Sequence, residues 1–252
     1  MTPIDRRGFL AGLATSGTLL LTGCGSEDPP TYGNVLRMGD RFTYSAQRLL
    51  LPRASLAREY DRRDISSTVA IGNTDPGNDH LEGFDPVWGR KWAEQAVDDF
   101  RDWRLEVAGA VDRPGLYSLE DLRRLPPRTQ ITKHMCEEGW SAISEWTGVP
   151  LRAVLDHAGT RTSARFVNFF SFDTNPDSID MIDALHPQTI LAYGMNGQAL
   201  PHPHGAPIRL RVERQLGYKN VKFIRRIEVT EHFVDPGATG LIQSGWSWYT
   251  GI

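Results

Sequence analysis

Residues 134–159 read HMCEEGWSAISEWTGVPLRAVLDHAG, and the character of the chain changes twice within them. The run Thr129–Cys136 leading in has the make-up of a strand and ends in Cys136. Glu137, Glu138 and Gly139 interrupt it, and Trp140 and Trp146 follow as core or pocket-wall aromatics. Pro150 then opens a helix, because its missing N–H is not needed at the first helical position, and Gly159 stops it. A strand therefore delivers a cysteine to an acidic turn.

Working outward, Trp103, Leu105 and Val107 alternate with Arg104 and Glu106, a half-buried strand turned by Asp112-Arg113-Pro114-Gly115. Ser118 with Asp121 caps a short helix whose Leu119, Leu122 and Leu125 face inward. Downstream, Arg165–Asp173 is a strand, and Asn196-Gly197 marks a hairpin between Ile190 and Leu200. Ile208, Leu210 and Val212 alternate with Arg209 and Arg211, and Lys219–Thr230 is a further strand. Upstream, residues 71–90 read as a Gly/Asp/Asn-rich loop, residues 46–59 as helical but broken near Pro52, and residues 25–35 as a polar tether. There is no repeat and no βαβ rhythm, so the fold class is α+β, with mixed, mostly antiparallel sheets and short helices.

The chain opens MTPIDRRGFLAGLATSGTLLLTGCGS. Arg6-Arg7 followed by Phe9-Leu10 and a short, mildly apolar stretch is a twin-arginine export signal. Leu21-Thr22-Gly23-Cys24 has the form of a lipoprotein cleavage box. The expected organisation is a signal peptide over residues 1–23, a tether and N-terminal arm over 24–64, and one domain over 65–252. The expected location is the periplasm or cell envelope, with contact to the membrane through lipidated Cys24. A net charge of −3 with no basic block excludes a nucleic-acid binder. Only two cysteines are present, so Cys136 has no partner if Cys24 carries lipid. An oxidising compartment pairs or excludes free thiols, so Cys136 is either buried or bound to something.

Cys136 as a nucleophile would want a nearby histidine, and His134 lies on the same strand face. Neighbouring carboxylates raise a thiol pKa, however, which argues against a free thiolate. A metal reverses that logic by deprotonating the sulfur it binds. One local solution is a zinc or copper site from His134, Cys136, His202 and His204, in a protein without redox turnover. A cofactor-free binding module is a third reading.

Three blocks narrow the choice: residues 134–159, DALHPQTILAYGMNGQALPHPHGAPIRLRV (183–212) and LGYKNVKFIRRIEVTE (216–231). In this order, Cys-x-Glu-x-Trp-Ser, Trp-x-Gly-x-Pro-Leu and Gly-Ala-Pro-x-Arg-Leu resemble the sulfite-oxidase-type molybdopterin oxidoreductases. The likeness covers roughly residues 65–232 and is greatest to their bacterial exported sulfoxide-reductase branch. It implies the sulfite-oxidase molybdopterin-binding fold and a molybdenum cofactor, with Cys136 as thiolate ligand of the metal. An occupied sulfur explains the unpaired cysteine, and a cofactor loaded before export explains the twin-arginine signal.

By the same resemblance Glu138 is the active-site acid, and Asn73 and Ser171 meet the pterin. His204 stands where relatives carry asparagine. Arg209 holds the cofactor's phosphate, with Asn220 and Lys222 on the phosphate side. The chain departs from sulfite oxidases in carrying Glu137 and Glu138 where a cationic pocket would hold sulfite, which disfavours a dianion. The implied reaction is two-electron oxygen-atom transfer from an S-oxide or N-oxide such as methionine sulfoxide, with sulfite dehydrogenation the alternative. The sequence contains no Cys-x-x-Cys-His haem attachment, so electrons are expected from a separate protein, a membrane cytochrome b or a soluble cytochrome c.

Overall fold

A computed structural model describes residues 32–69, 76–78, 80, 85–234 and 247–252. Arg6, Arg7, Cys24 and Asn73 lie outside the described residues. The chain forms two compact units, residues 1–38 and 39–252. Of the first, the described residues are the opening turns of helix α1 (Tyr32–Leu50).

The second unit carries two sheets. In the first, β2 (Gly115–Ser118), β1 (Arg104–Gly109), β10 (Ile224–Thr230), β5 (Phe166–Ser171) and β6 (Asp177–Asp180) lie side by side in that order. Only β1 and β10 run parallel; the other pairs are antiparallel. The second sheet orders β3 (Arg128–Met135), β4 (Ser141–Pro150), β7 (Ile190–Met195) and β8 (Gln198–Ala199), with β9 (Arg209–Arg211) also on β7, all antiparallel. Short helices join them: α2 (Trp88–Ala96), α3 (Leu119–Arg124), α4 (Leu151–Ala158) and α5 (Met181–Ala184).

Local rules account for several of these elements. Ser118 Oγ accepts from the Asp121 amide while the Asp121 carboxylate accepts from the Ser118 amide, a reciprocal cap. Helix α4 ends on Gly159 at φ 72°. Asn196 and Gly197, at φ 51° and 77°, make the β7–β8 hairpin. Leu105, Val107, Val154, Val167, Leu210 and Ile227, all fully buried, belong to one apolar cluster that β1, α4, β5, β9 and β10 share. Burial at about 25 cal/mol per Å² of apolar surface makes such a cluster the main driving force of the fold.

Three local expectations are corrected. The last strand begins at Ile224, not Lys219: residues Gly217–Lys219 form a 3-10 turn, and Phe223 at φ 54° interrupts any extended run. Helix α1 begins at Tyr32, inside the expected tether, and ends before Pro52, so residues 53–59 are not helical. Helix α2 forms within and beyond the expected 71–90 loop because Trp92, buried on it, donates from Nε1 to Ala206 O at 2.8 Å. Residues beyond 39 are tied to the sheets: Arg48 pairs with Asp180 (3.0 Å) and Asp183 (2.8 Å), and the Tyr60 amide donates to Ile131 O (2.9 Å).

The β1–β10 pairing demands glycine at 109. It sits at φ +89°, and a Cβ there would lie 2.1 Å from Val229 O. Gly109→Ala is expected to destabilise by more than the roughly 1–3 kcal/mol of ordinary overpacking, because positive φ adds its own cost. Urea unfolding followed by tryptophan fluorescence measures it.

Candidate functional site

Cys136 directly follows β3 and continues the face that carries Gln130, Thr132 and His134. Its amide donates to Trp140 O (2.9 Å) and the Gly139 amide to Cys136 O (3.1 Å), closing a tight turn. Cys136 Sγ donates to Glu138 Oε2 at 3.6 Å, and the same oxygen accepts from Trp140 Nε1 at 2.7 Å. Glu137 Oε2 accepts from the Tyr218 amide at 3.2 Å, which binds the turn to Gly217–Lys219. Burial pushes the Cys136 thiol up to about 12; the backbone N–H of Glu138 opposes this, and the Glu137 and Glu138 carboxylates add to it. A free thiolate does not form here at neutral pH. The sulfur becomes a thiolate when a metal takes the proton's place.

A second group of residues comes from the other segments. The turn His202–His204 leads to Gly205 at φ +111°, where a Cβ would lie 3.0 Å from Lys222 Cβ and 3.1 Å from Arg209 Cβ. Glycine thus lets Arg209 and Lys222 approach the same turn. Arg209 donates to His204 O (3.0 Å) and Asn220 O (3.3 Å), and its guanidinium lies over the Trp146 ring at 5.0 Å. Its Nε makes no hydrogen bond among the described residues. Burial, then the charge of Arg211, pulls the Arg209 guanidinium down to about 9. Lys222 Nζ donates to Pro203 O at 3.2 Å. Both Arg209 and Lys222 depress His204 to about 4, after burial.

The remaining expected residues are placed as follows. Ser171, buried at the end of β5, donates from Oγ to Asp173 O at 3.0 Å. Lys222 acts electrostatically on Asp173, so β5 ends at the same basic group. The Asn220 side chain is spent on its own turn: Oδ1 accepts from the Val212 amide and Nδ2 donates to Leu216 O and Gly217 O. Its backbone is engaged as well: the amide donates to Gly217 O (3.0 Å) and the carbonyl accepts from Arg209 (3.3 Å). Lys219, three residues before Lys222, is fully buried and pairs with Asp177 instead.

The zinc or copper alternative does not assemble. His134 Nδ1 lies 2.7 Å from Arg211 Nη1, and the His202 ring packs against Trp92 and Phe100 at 5.5 Å each. Among the described residues no group of three or more His, Cys, Asp or Glu could hold a metal ion. Burial, followed by Arg211, Arg209, His204 and Lys222, takes His134 down to about 2, so it is a neutral imidazole.

Pattern reading missed Arg211 and Glu213, whose ion pair at 2.6 Å is buried. Alternation marked β9 as having polar positions, but all three of its residues are buried, because the arginine side faces Trp146 and a carboxylate rather than water. Trp92 was missed as well; its only signal was a tryptophan in a polar stretch.

A soft thiol donor two residues from His134, which feels the charges of Arg211, Arg209 and Lys222, is a donor set suited to a metal carried on an anionic organic group. The model of the oxidoreductase molybdopterin binding domain matches residues 92–236, more than half of the chain, and the protein belongs to that family. It is an oxidoreductase, and its cofactor is molybdenum held by molybdopterin. A protein of Azospira oryzae, "Putative protein-methionine-sulfoxide reductase subunit YedZ1", is 36% identical across 98% of this chain and 87% of its own length. The protein-methionine-sulfoxide reductase catalytic subunit MsrP of Xanthomonas axonopodis pv. citri is 28% identical across 98% of this chain and 77% of its own. The MsrP of Campylobacter jejuni is 34% identical across 52% of this chain and 50% of its own. Among solved structures, the sulfane dehydrogenase SoxCD of Paracoccus pantotrophus superposes with a TM-score of 0.50 at 28% identity, over 52% of this chain and 39% of that one. The fold is that of the molybdopterin oxidoreductases.

The residues present fit the group. Cys136 offers the soft donor that molybdenum takes. Arg209 offers a buried cation with a donor unspent, suited to a phosphate.

Proposed function

We propose that this protein reduces methionine sulfoxide, free or within proteins, at a molybdenum centre, with electrons from a separate cytochrome. The observation that carries the reading is Glu138 Oε2 at 3.6 Å from Cys136 Sγ. An acid at that place repels a sulfite dianion and suits a neutral sulfoxide, whose oxygen leaves as water and therefore needs protons. The names of the relatives support the same substrate. Molybdenum, when bound, supplies the two-electron oxygen-atom transfer. The chain's own residues do the rest. Cys136 holds the metal through Sγ. Glu138, held by Trp140 Nε1, would relay protons from water to the departing oxygen. Arg209 and Lys222, with Ser171, His204 and Asn73, hold the pterin and its phosphate.

Two assays separate the directions of reaction: reduced viologen with methionine sulfoxide, and sulfite with ferricyanide. Turnover in the second alone would overturn the proposal. Glu138→Gln keeps the Trp140 acceptor and removes the proton. Its kcat is expected to fall about 100-fold, the lower end for a lost general acid, with KM little changed.

Export by the twin-arginine route and anchoring through lipidated Cys24 complete the proposal, with a membrane cytochrome b or soluble cytochrome c as electron donor. Arg6-Arg7 and the sequence before Cys24 support it. Among the described residues no helix is long and apolar enough to cross a membrane. A Cys24→Ala chain that stays equally membrane-bound would remove the lipid anchor.

A further inference from the structure

The face of β3 that ends in Cys136 carries a continuous polar connection which the proposed chemistry does not use. Gln130 Nε2 donates to Gln188 O (3.0 Å) and to Glu213 Oε1 (2.9 Å). Arg211 donates to both oxygens of Glu213, from Nε at 3.0 Å and from Nη2 at 2.6 Å. Its remaining nitrogen, Nη1, reaches His134 Nδ1 at 2.7 Å. A guanidinium nitrogen can only donate, so Nδ1 accepts and the ring proton sits on Nε2. The far side of the ring is confined too. A Cβ on Gly217 would lie 2.7 Å from His134 Nε2, and the Trp140 ring is 5.5 Å away.

The Arg211–Glu213 side chains are 1% exposed each. A buried ion pair contributes little net stability, since the cost of desolvation offsets the attraction, and an apolar pair of the same shape would hold a sheet as well. What the pair does supply is orientation: a fork fixed by a carboxylate leaves one nitrogen aimed at one acceptor.

We infer that His134 is a positioning residue for Cys136. Arg211, itself set by Glu213 and Gln130, presses the His134 ring against the Gly217 turn. The ring thereby fixes the end of β3, two residues before the sulfur, relative to the turn that carries Asn220 and Lys222. One wedge thus sets the metal-ligand end and the phosphate end of the site against each other. The inference rests on Cys136 being the molybdenum ligand.

The test uses loaded protein and the Mo(V) EPR spectrum, whose g values follow the orientation of the thiolate sulfur on the metal. His134→Ala is expected to shift the g values and lower kcat about 10–100-fold, the usual cost of losing an outer partner at a metal site, with molybdenum content retained and KM within about threefold. His134→Asn places an acceptor oxygen where Nδ1 stood and is expected to restore most of both. Gly217→Ala leaves every polar group in place and displaces the ring alone, apart from a contact with Met135 O at 3.1 Å. It is expected to shift g values in the native background and to add little in the His134→Ala background. It also decides the matter if His134→Ala does not accumulate. An unchanged spectrum in Gly217→Ala, or equal effects of that substitution in both backgrounds, overturns the inference. Absence of molybdenum from the unaltered protein overturns the ligand assignment first, and is read from metal content, not from the variants.

Discussion

Cys136→Ala is expected to leave a folded protein with no molybdenum-dependent turnover. Cys136 is only half-buried, and the hydrogen bonds that shape its turn come from its backbone, at 2.9 Å and 3.1 Å, so alanine preserves the turn. The thiol itself contributes one long contact to Glu138. The melting temperature should therefore move by a few degrees at most, while activity falls by far more than the roughly 10–100-fold cost of an outer-sphere change. Metal analysis, circular dichroism and the viologen assay together check this. A variant that keeps full activity would show that Cys136 does not hold the metal. The raised pKa of the thiol adds a condition: burial and two carboxylates keep Sγ protonated, so metal insertion releases a proton and is favoured as pH rises.

The second large effect is expected at Arg209, and it has opposite signs in the two forms of the protein. In the cofactor-free chain the guanidinium is buried, and its pKa falls from the ordinary arginine value when unfolded to about 9 when folded. The unfolded chain therefore binds more protons between those values. The cost of burying the charge is fully present below about pH 9 and disappears as pH rises towards the ordinary arginine range. Arg209→Leu removes that cost, so the cofactor-free variant should melt higher than the cofactor-free native chain. With cofactor the order reverses. A charge-assisted contact to a phosphate contributes about 1.5–3 kcal/mol, or about 10–150-fold in retention. The variant should lose its pterin on gel filtration. Arg209→Lys should recover little, because a point charge cannot replace the fork that now spans His204 O and Asn220 O. Thermal melts of loaded and stripped protein, with pterin quantified by fluorescence, give both signs. Full cofactor retention by Arg209→Leu would remove the phosphate role.

What the sequence determined by itself is what short-range physics controls. Ser118 with Asp121, Pro150 with Gly159, and Asn196-Gly197 each place an element boundary because a cap or a turn needs only its neighbours. The acidic turn after Cys136 is legible for the same reason, and it argues against a free thiolate; that the sulfur is a molybdenum ligand is what the family resemblance implies. The tertiary structure alone decided the rest. β1 pairs in parallel with β10 more than a hundred residues away, and no local pattern encodes a partner at that distance. Arg209 and Arg211 sit at positions that alternation marks only as polar. That they are buried follows from Trp146 and Glu213 packing opposite them, and both come from other segments. The sequence leaves His134 open between a satisfied side chain, a partner of Cys136 and a zinc ligand; Arg211 on its Nδ1 decides it. Caps, turns and lone thiols answer to neighbours in sequence. Whether a cation is solvated, or a ring is held, depends on which distant surface covers it, and only the folded chain sets that.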